Sequence, residues 1–559
     1  MHKHKKRQAE LRGKPAAIAV SVALATMLNG PYAQAFEIET ANSDLHVLWD
    51  TTVKYSTAWR LKNPSATLTA PPFPGFANTD DGDRNFKRGL ISNRLDILSE
   101  LDISYKGFGG RLSGAAWYDS VYNQSNDNDS PATANQISVP YNDFTRATEK
   151  LHGRKAELLD AFVFGKADLG ESKATFRVGK HTMLWGESLF FGANGIANGQ
   201  GPIDVVKAVS VPNTQFKELM RPVQQVSGQL QINPNLSVGA YYQWRWEKLR
   251  LPGVGSYYSF IDFVPEEGSE RLIVGPAGGP FAAPIAFFHG NDQKARNSGQ
   301  GGVQARFRVG EVDYGVYAIR YHDKAPQIYL RPGGIPNFAT GQIGEYLLVY
   351  PENIKSYGAS ATTTVGQVNF AAEVSIRRNT PLDSDAQLDL AGTGDNRSNP
   401  LYAVGNSAHA QLSWLASLGP SFISREADFL GEIAWNRRTS ITKNPSALNV
   451  NADRDATNIR MVYEPKYRQV WPGVDLSVPI GIGYGISGNS SVVGAFNGEG
   501  VGDVSIGVSG AYLDVWRFGL NYTHYFGPEG TFIDATGHRS FKQSLADRDF
   551  ISVTFRRTF

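Results

Sequence analysis

From Leu45 to Leu61 the chain alternates without a break for seventeen positions. Leu45, Val47, Trp49, Val53, Tyr55, Trp59 and Leu61 fall in one series, while His46, Asp50, Lys54 and Arg60 fall in the other. Successive side chains of a strand point to opposite faces, so this segment has an apolar face ending in aromatics and a polar, ionic face. No helix sorts these residues in that way. At ~3.3 Å per residue the segment is roughly 55 Å long. Tilted by ~45°, it still rises about 40 Å, more than the ~25 Å apolar band of an outer membrane.

The same pattern returns along the chain. Leu90–Lys106 puts Ile91, Leu95, Ile97, Leu101 and Ile103 opposite Arg94, Asp96, Glu100 and Asp102, and Leu236–Lys248 opposes Val238, Tyr242, Trp244 and Trp246 to Gln243, Arg245 and Glu247. Read in this manner the chain holds eighteen strands, counted to within about two (16–18). Long connections follow the odd-numbered strands and short ones the even-numbered strands, with a turn at Pro465–Pro472 among the short ones. An even number of tilted strands with alternating long and short connections is the signature of an all-β transmembrane antiparallel β-barrel.

Composition agrees. Gly 58 is about a tenth of the 559 residues, against ~7% on average, and aromatics are 11%. Mean hydropathy of −0.31 looks soluble, but a barrel with a polar lumen averages to such a value. A formal net charge of +2 gives no footing for nucleic-acid binding, and Cys 0 excludes disulfides, thiolate nucleophiles and Cys-based zinc sites.

Residues 1–35 read as a signal peptide: a basic start (Lys3, Lys5, Lys6, Arg7), an apolar run from Ala16 to Leu28, and Ala33-Gln34-Ala35 before the cleavage point. Residues 36–559 are then the mature barrel, expected in the bacterial outer membrane. Ile551, Val553, Phe555 and Phe559 share one face of the last strand, a C-terminal barrel-assembly signal interrupted by Arg557.

Eighteen strands at ~4.8 Å spacing and ~40° tilt enclose a backbone diameter of roughly 35 Å, too wide for side chains alone to fill. The third long connection, Trp185 to Pro222, is the candidate constriction. It mixes apolar residues with paired charges and a glycine-rich centre, and its Ile203–Lys207 and Gln215–Met220 pieces suit short helical turns. Its candidate residues, with the strand end before it, are Lys180, His181, Trp185, Gly186, Glu187, Ser188, Asp204, Lys217 and Glu218. The simplest roles are for Trp185 to anchor the loop and Glu187 to pair with a lumen arginine. The expected lumen charges are Asp50, Lys54, Arg94, Asp96, Glu100, Asp102, Arg245, Glu247, Arg306, Arg308, Glu373, Arg377, Glu432 and Arg517, both signs interleaved and pairing across neighbouring strands.

From Gly179-Lys180 through Trp185-Gly186-Glu187-Ser188 and Lys217-Glu218 to Tyr242-Gln243-Trp244-Arg245-Trp246, the order resembles an uncharacterised, porin-like family of Gram-negative outer-membrane proteins, a domain of unknown function. That family often reads Gly-Arg-Gln where this chain has Gly179-Lys180-His181. The resemblance implies a β-barrel and a link to envelope transport of apolar or lipid-like molecules.

The expectation is a non-enzymatic channel, or an export partner, for an apolar or amphipathic small molecule. The alternatives are a lipid-acting outer-membrane enzyme, with Ser188 as the tempting nucleophile, and a structural or receptor barrel with binding loops. Expected partners are outer-membrane lipid, the barrel-assembly machinery and periplasmic or inner-membrane transport components, with no cofactor, metal or nucleic acid.

Overall fold

The computed structural model describes residues 36–38, 40–265 and 268–559; the signal peptide expected at 1–35 lies outside the described residues. No helix among them is long and apolar enough to cross a membrane. The architecture is strands: β1 (Leu45–Arg60), β2 (Gly89–Tyr105), β3 (Phe108–Asp119), β4 (Arg154–Leu169), β5 (Ser172–His181), β6 (Val223–Asn233), β7 (Leu236–Gln243), β8 (Gln300–Val309), β9 (Val312–Tyr321), β10 (Ile354–Val365), β11 (Val368–Pro381), β12 (Val404–Leu418), β13 (Glu426–Lys443), β14 (Asp455–Trp471), β15 (Val474–Ser477 and Ile480–Ser487), β16 (Gly502–Tyr512), β17 (Trp516–Phe526) and β18 (Phe550–Thr558). Each pairs antiparallel with the next, and β1 pairs with β18 from Thr52↔Thr558 to Arg60↔Phe550, so the sheet closes as an eighteen-strand barrel. Phe36–Glu37 adds a short pairing beside β1.

Two faces are visible on every well-paired stretch. On β11, Val374 and Ile376 are 55% and 45% exposed, while Glu373 and Arg377 on either side and Ser375 between them are 2%, 3% and 5% exposed. Apolar side chains therefore point away from the barrel and polar ones into it, the arrangement a lipid-facing wall requires. Short turns use the backbone conformations that tight hairpins demand: Lys106 and Gly107 sit at φ 47° and 83° between β2 and β3. At the C-terminus, Arg557 is accommodated among apolar neighbours because its guanidinium lies over the rings of Trp516 and Phe559, 4.5 Å from each centroid. Phe559 itself closes the seam by exchanging backbone bonds with Thr51.

Three expectations are corrected. β7 ends at Gln243 rather than Lys248, so Arg245 and Glu247 stand beyond the wall instead of within it. Trp246 turns inward under the long connections, edge-on to Tyr350 at 4.8 Å, and donates to the Asp323 carbonyl. The turn expected at Pro465–Pro472 is mostly strand: β14 runs to Trp471 through an irregularity where Gln469 adopts φ 48°, stabilised by Asp475 accepting from the Gln469 amide.

The long connections, read from sequence as loops, also build a second sheet in the order Gln387–Leu388, Gln327–Asn337, Gln342–Val349, Ile285–His289, Arg271–Gly275. Two of its pairings are parallel, which short local patterns do not reveal. Its hydrophobic core includes Trp246, Phe263, Leu272, Tyr346 and Tyr350. A buried ionic cluster fastens the first connection to the last: Arg548 to Asp83 at 2.8 Å, and Arg60 to Asp83 at 3.1 Å and to Asp547 at 2.7 Å.

Candidate functional site: the third long connection

The chain leaves β5 at His181 and returns at β6, and between them it packs on the polar face of the opposite wall. Trp185 is buried, its ring edge-on to Tyr241 at 5.0 Å and tilted to Tyr317 at 6.3 Å. Gly186 follows at φ 87°, and a Cβ there would meet the Glu373 carboxylate, so the position requires glycine.

The wall then holds the loop by its backbone. Glu373 Oε2 accepts from the Glu187 amide at 2.8 Å and Oε1 from the Ile196 amide. Glu432 Oε2 accepts from the amides of Phe190 and Phe191 at 2.5 and 2.6 Å. Arg377 Nη2 donates to the carbonyls of Ala193, Asn194 and Gly195 at 2.8–2.9 Å. Anions meet amides and a cation meets carbonyls, so a glycine-rich segment with few side-chain contacts of its own is still positioned. Gln411 donates to Ser188 Oγ, and His409 bonds Asn194 at 3.0 Å.

The other expected site residues separate. Glu187 pairs with a lumen arginine, Arg306, at 3.2 Å. Asp204 caps the helical turn Val205–Ser210 through the Lys207 amide and pairs with Arg250 at 2.8 Å. Lys217 and Glu218 lie exposed on the turn Phe216–Leu219, where the Glu218 carbonyl accepts from Lys207 Nζ. His181 is buried and bonded to Ser227 Oγ at 2.9 Å.

Lys180 is not in the loop's contact set: it shares the outward face of β5 with exposed Phe176 and Val178, and its Nζ donates to the Leu158 carbonyl. Among the lumen charges, Arg94 pairs with Asp96 at 2.7 Å, Lys54 with Asp96 at 3.6 Å, Arg111 with Glu100 and Asp102, and Arg308 with Asp313 at 2.6 Å.

Where the loop meets the long connections there is a cavity of about 360 Å³. Ile203, Val205 and Phe216 of the loop face Leu251, Tyr258 and Phe260 of the fourth connection across it. Its polar lining includes Arg377 and Lys324, the latter just past the end of β9, where burial pushes the ammonium down to about 8. Sequence reading passed over Lys324 and the apolar run around Tyr258 because both lie in connections without periodicity.

It also passed over a cluster in the cap that the packed long connections form over the barrel end. Asp80, Asp81 and Asp262 are buried with carboxylate oxygens within 4.8 Å of one another. Burial and the neighbouring Asp80 push the Asp81 carboxyl up to about 7, and burial with both neighbours pushes Asp262 well above the usual range.

A family model described as "Protein of unknown function (DUF1302)" matches residues 15–559. No curated protein matches the chain. Among solved structures it is similar to Acinetobacter baumannii OccAB2 (10% identity, 92% of this chain and 98% of that one, TM-score 0.41) and to Pseudomonas aeruginosa OccK9 (10%, 92% and 98%, 0.42). It is also similar to the outer membrane channel DcaP of Acinetobacter baumannii (8%, 94% and 100%, 0.37).

Proposed function

We propose that this chain, which belongs to the DUF1302 family of proteins of unknown function, is an outer-membrane channel for an apolar or amphipathic small molecule, narrowed by the loop Trp185–Pro222. The observation that carries this reading is the apolar cavity bounded by that loop and the fourth connection, with Lys324 and Arg377 at its polar side. A site for a small hydrophilic ion has no use for such a lining; a few placed polar groups in an apolar pocket fit an amphiphile. The charges of the wall support no strong ion selectivity, because Lys54, Arg94 and Arg111 are paired with neighbouring acids while Glu373, Glu432 and Arg377 are engaged by the loop backbone.

The enzyme reading is the less favoured: among the described residues Ser188 Oγ is engaged by Gln411, Glu187 by Arg306 and His181 by Ser227, and neither Glu187 nor His181 is hydrogen-bonded to the hydroxyl as a base. Barrel-assembly machinery, through the Phe559 strand, and periplasmic or inner-membrane transport components remain the expected partners.

Planar-bilayer conductance and vesicle uptake of a fluorescent amphiphile test the proposal together. Conductance rises when Trp185–Gly201 is removed from the folded barrel, and uptake is measurable in the intact one. Absence of both, before and after the deletion, refutes the channel.

A further inference from the structure

The barrel wall is incompletely paired at one place. β4 is joined to β3 as far as Tyr118↔Arg154, yet to β5 only between Ala161↔Lys180 and Leu169↔Ser172. The cause is β5 itself, which stops at His181 where the chain turns away into the loop. Residues 154–160 therefore have a strand on one side only, and among the described residues no backbone hydrogen bond ties their other edge to a further segment.

The position of this gap matters. From Phe108 to Tyr118, both exposed on the outer face of β3, is roughly 25 Å of height at ~40° tilt, the apolar band of an outer membrane. Leu158, paired with Gly114 and exposed, falls within that band in the half nearer the long connections. An unpaired strand edge facing hydrocarbon costs several kcal/mol for each unmet group, so a wall that keeps one has a use for it. Lys180 Nζ donates to the Leu158 carbonyl at 2.5 Å, a side chain standing in where a neighbouring strand is missing.

Beside the gap lies a cleft of about 850 Å³. Lys150, Lys155, Arg221, Arg245, Arg250 and Lys294 line it, with Glu247 as the single acid in its lining. Trp244 forms its lipid-side lip, exposed and donating to Gln224 at 3.0 Å. Leu249 lines both this cleft and the apolar cavity over the loop, so the two spaces are separated by one side chain's thickness. At that boundary Arg250 joins Asp204 of the loop to Glu157 of the unpaired edge.

We propose that the gap between β4 and β5 is a lateral portal, through which an amphiphile with an anionic headgroup passes between the lumen cavity and the outer leaflet. The inference rests on the channel reading. The basic cleft carries the headgroup, and Leu158, Trp244 and Leu249 carry the chain. Arg250 is the latch: moving it away from Asp204 and Glu157 joins cleft to cavity.

The chain has no cysteine, so Leu158→Cys gives a single reactive thiol on the outer face. Modified in detergent with pyrene maleimide and reconstituted, it is assayed for transfer of an NBD-labelled alkyl sulfate, whose fixed charge prevents spontaneous crossing. Transfer falls by about tenfold or more relative to the ion conductance of the same preparation, whereas modified Val238→Cys, on the lipid face away from the gap, transfers as the unmodified protein does.

If the unmodified protein conducts ions and transfers the probe, but transfer ignores the Leu158 block, the portal is wrong and the channel stands. If neither conductance nor transfer occurs, the channel fails and the portal with it. Stoichiometric retention of lipopolysaccharide in the cleft, with transfer insensitive to the block, makes the cleft a static lipid site and also overturns the portal. Hydrogen exchange of the unmodified protein in nanodiscs gives an independent reading: amides of 154–160 exchange faster than those of 161–169, and equal protection overturns the gap.

Discussion

Glu432→Ala tests how the loop is held. In the native barrel one carboxylate oxygen accepts the amides of Phe190 and Phe191, and among the described residues no other wall group meets those two donors. Each buried donor left unmet costs about 1–3 kcal/mol. Two of them favour a loop that swings into water by about 2–6 kcal/mol, a rise in the detached population of roughly 30-fold to 10⁴-fold. Glu373→Ala removes the matching pair at Glu187 and Ile196, and the double variant leaves the loop backbone to Arg377, Ser413 and Gln243, which meet carbonyls rather than amides.

Single-channel recording in planar bilayers reads the effect as more frequent high-conductance excursions in each single variant and a sustained high level in the double. Asp102→Ala, which breaks a pair with Arg111 and touches no loop residue, leaves the excursion frequency at its native value. A folded double variant with native conductance and native excursion frequency refutes both the clamp and the constriction.

Trp185→Ala empties the ring contacts with Tyr241 and Tyr317 and costs about 3–5 kcal/mol of local packing, seen as lost near-ultraviolet dichroism and faster proteolysis within 185–222. Asp83→Asn leaves Arg60 and Arg548 buried with one fewer charge between them and lowers stability by about 3–5 kcal/mol, read as a lower heat-modification midpoint on electrophoresis. The cap also softens with rising pH. The Asp81 carboxyl is raised to about 7 from an unfolded value near 3.8, so its contribution is complete below about 4 and is lost as pH climbs through about 7. Proteolysis of residues 62–88 is accordingly faster at pH 8 than at pH 5, and Asp81→Asn narrows that difference.

Much of the fold is legible in single residues. The alternation through Trp49, Lys54 and Trp59 states a lipid face and a lumen face, and it needs only the fact that neighbours on a strand point opposite ways. All eighteen wall strands follow from that rule, with errors where it stops applying: at Trp246, whose ring is recruited by Tyr350, and at Gln469, where an irregularity carries β14 past the expected turn. Glu187 with an arginine and Trp185 as anchor were readable because each is a charge or a large ring with an obvious need for a partner.

What the sequence alone determined is thus the wall and its sidedness. Tertiary structure decided the rest: that Glu373 and Glu432 hold the loop across 186 and 242 positions of chain, that short strands from three connections join into one cap, and that β5 stops short of β4. Side-chain direction is a local property repeated every two residues. Which backbone amide meets which carboxylate depends on where distant strands stop, and no local pattern contains that.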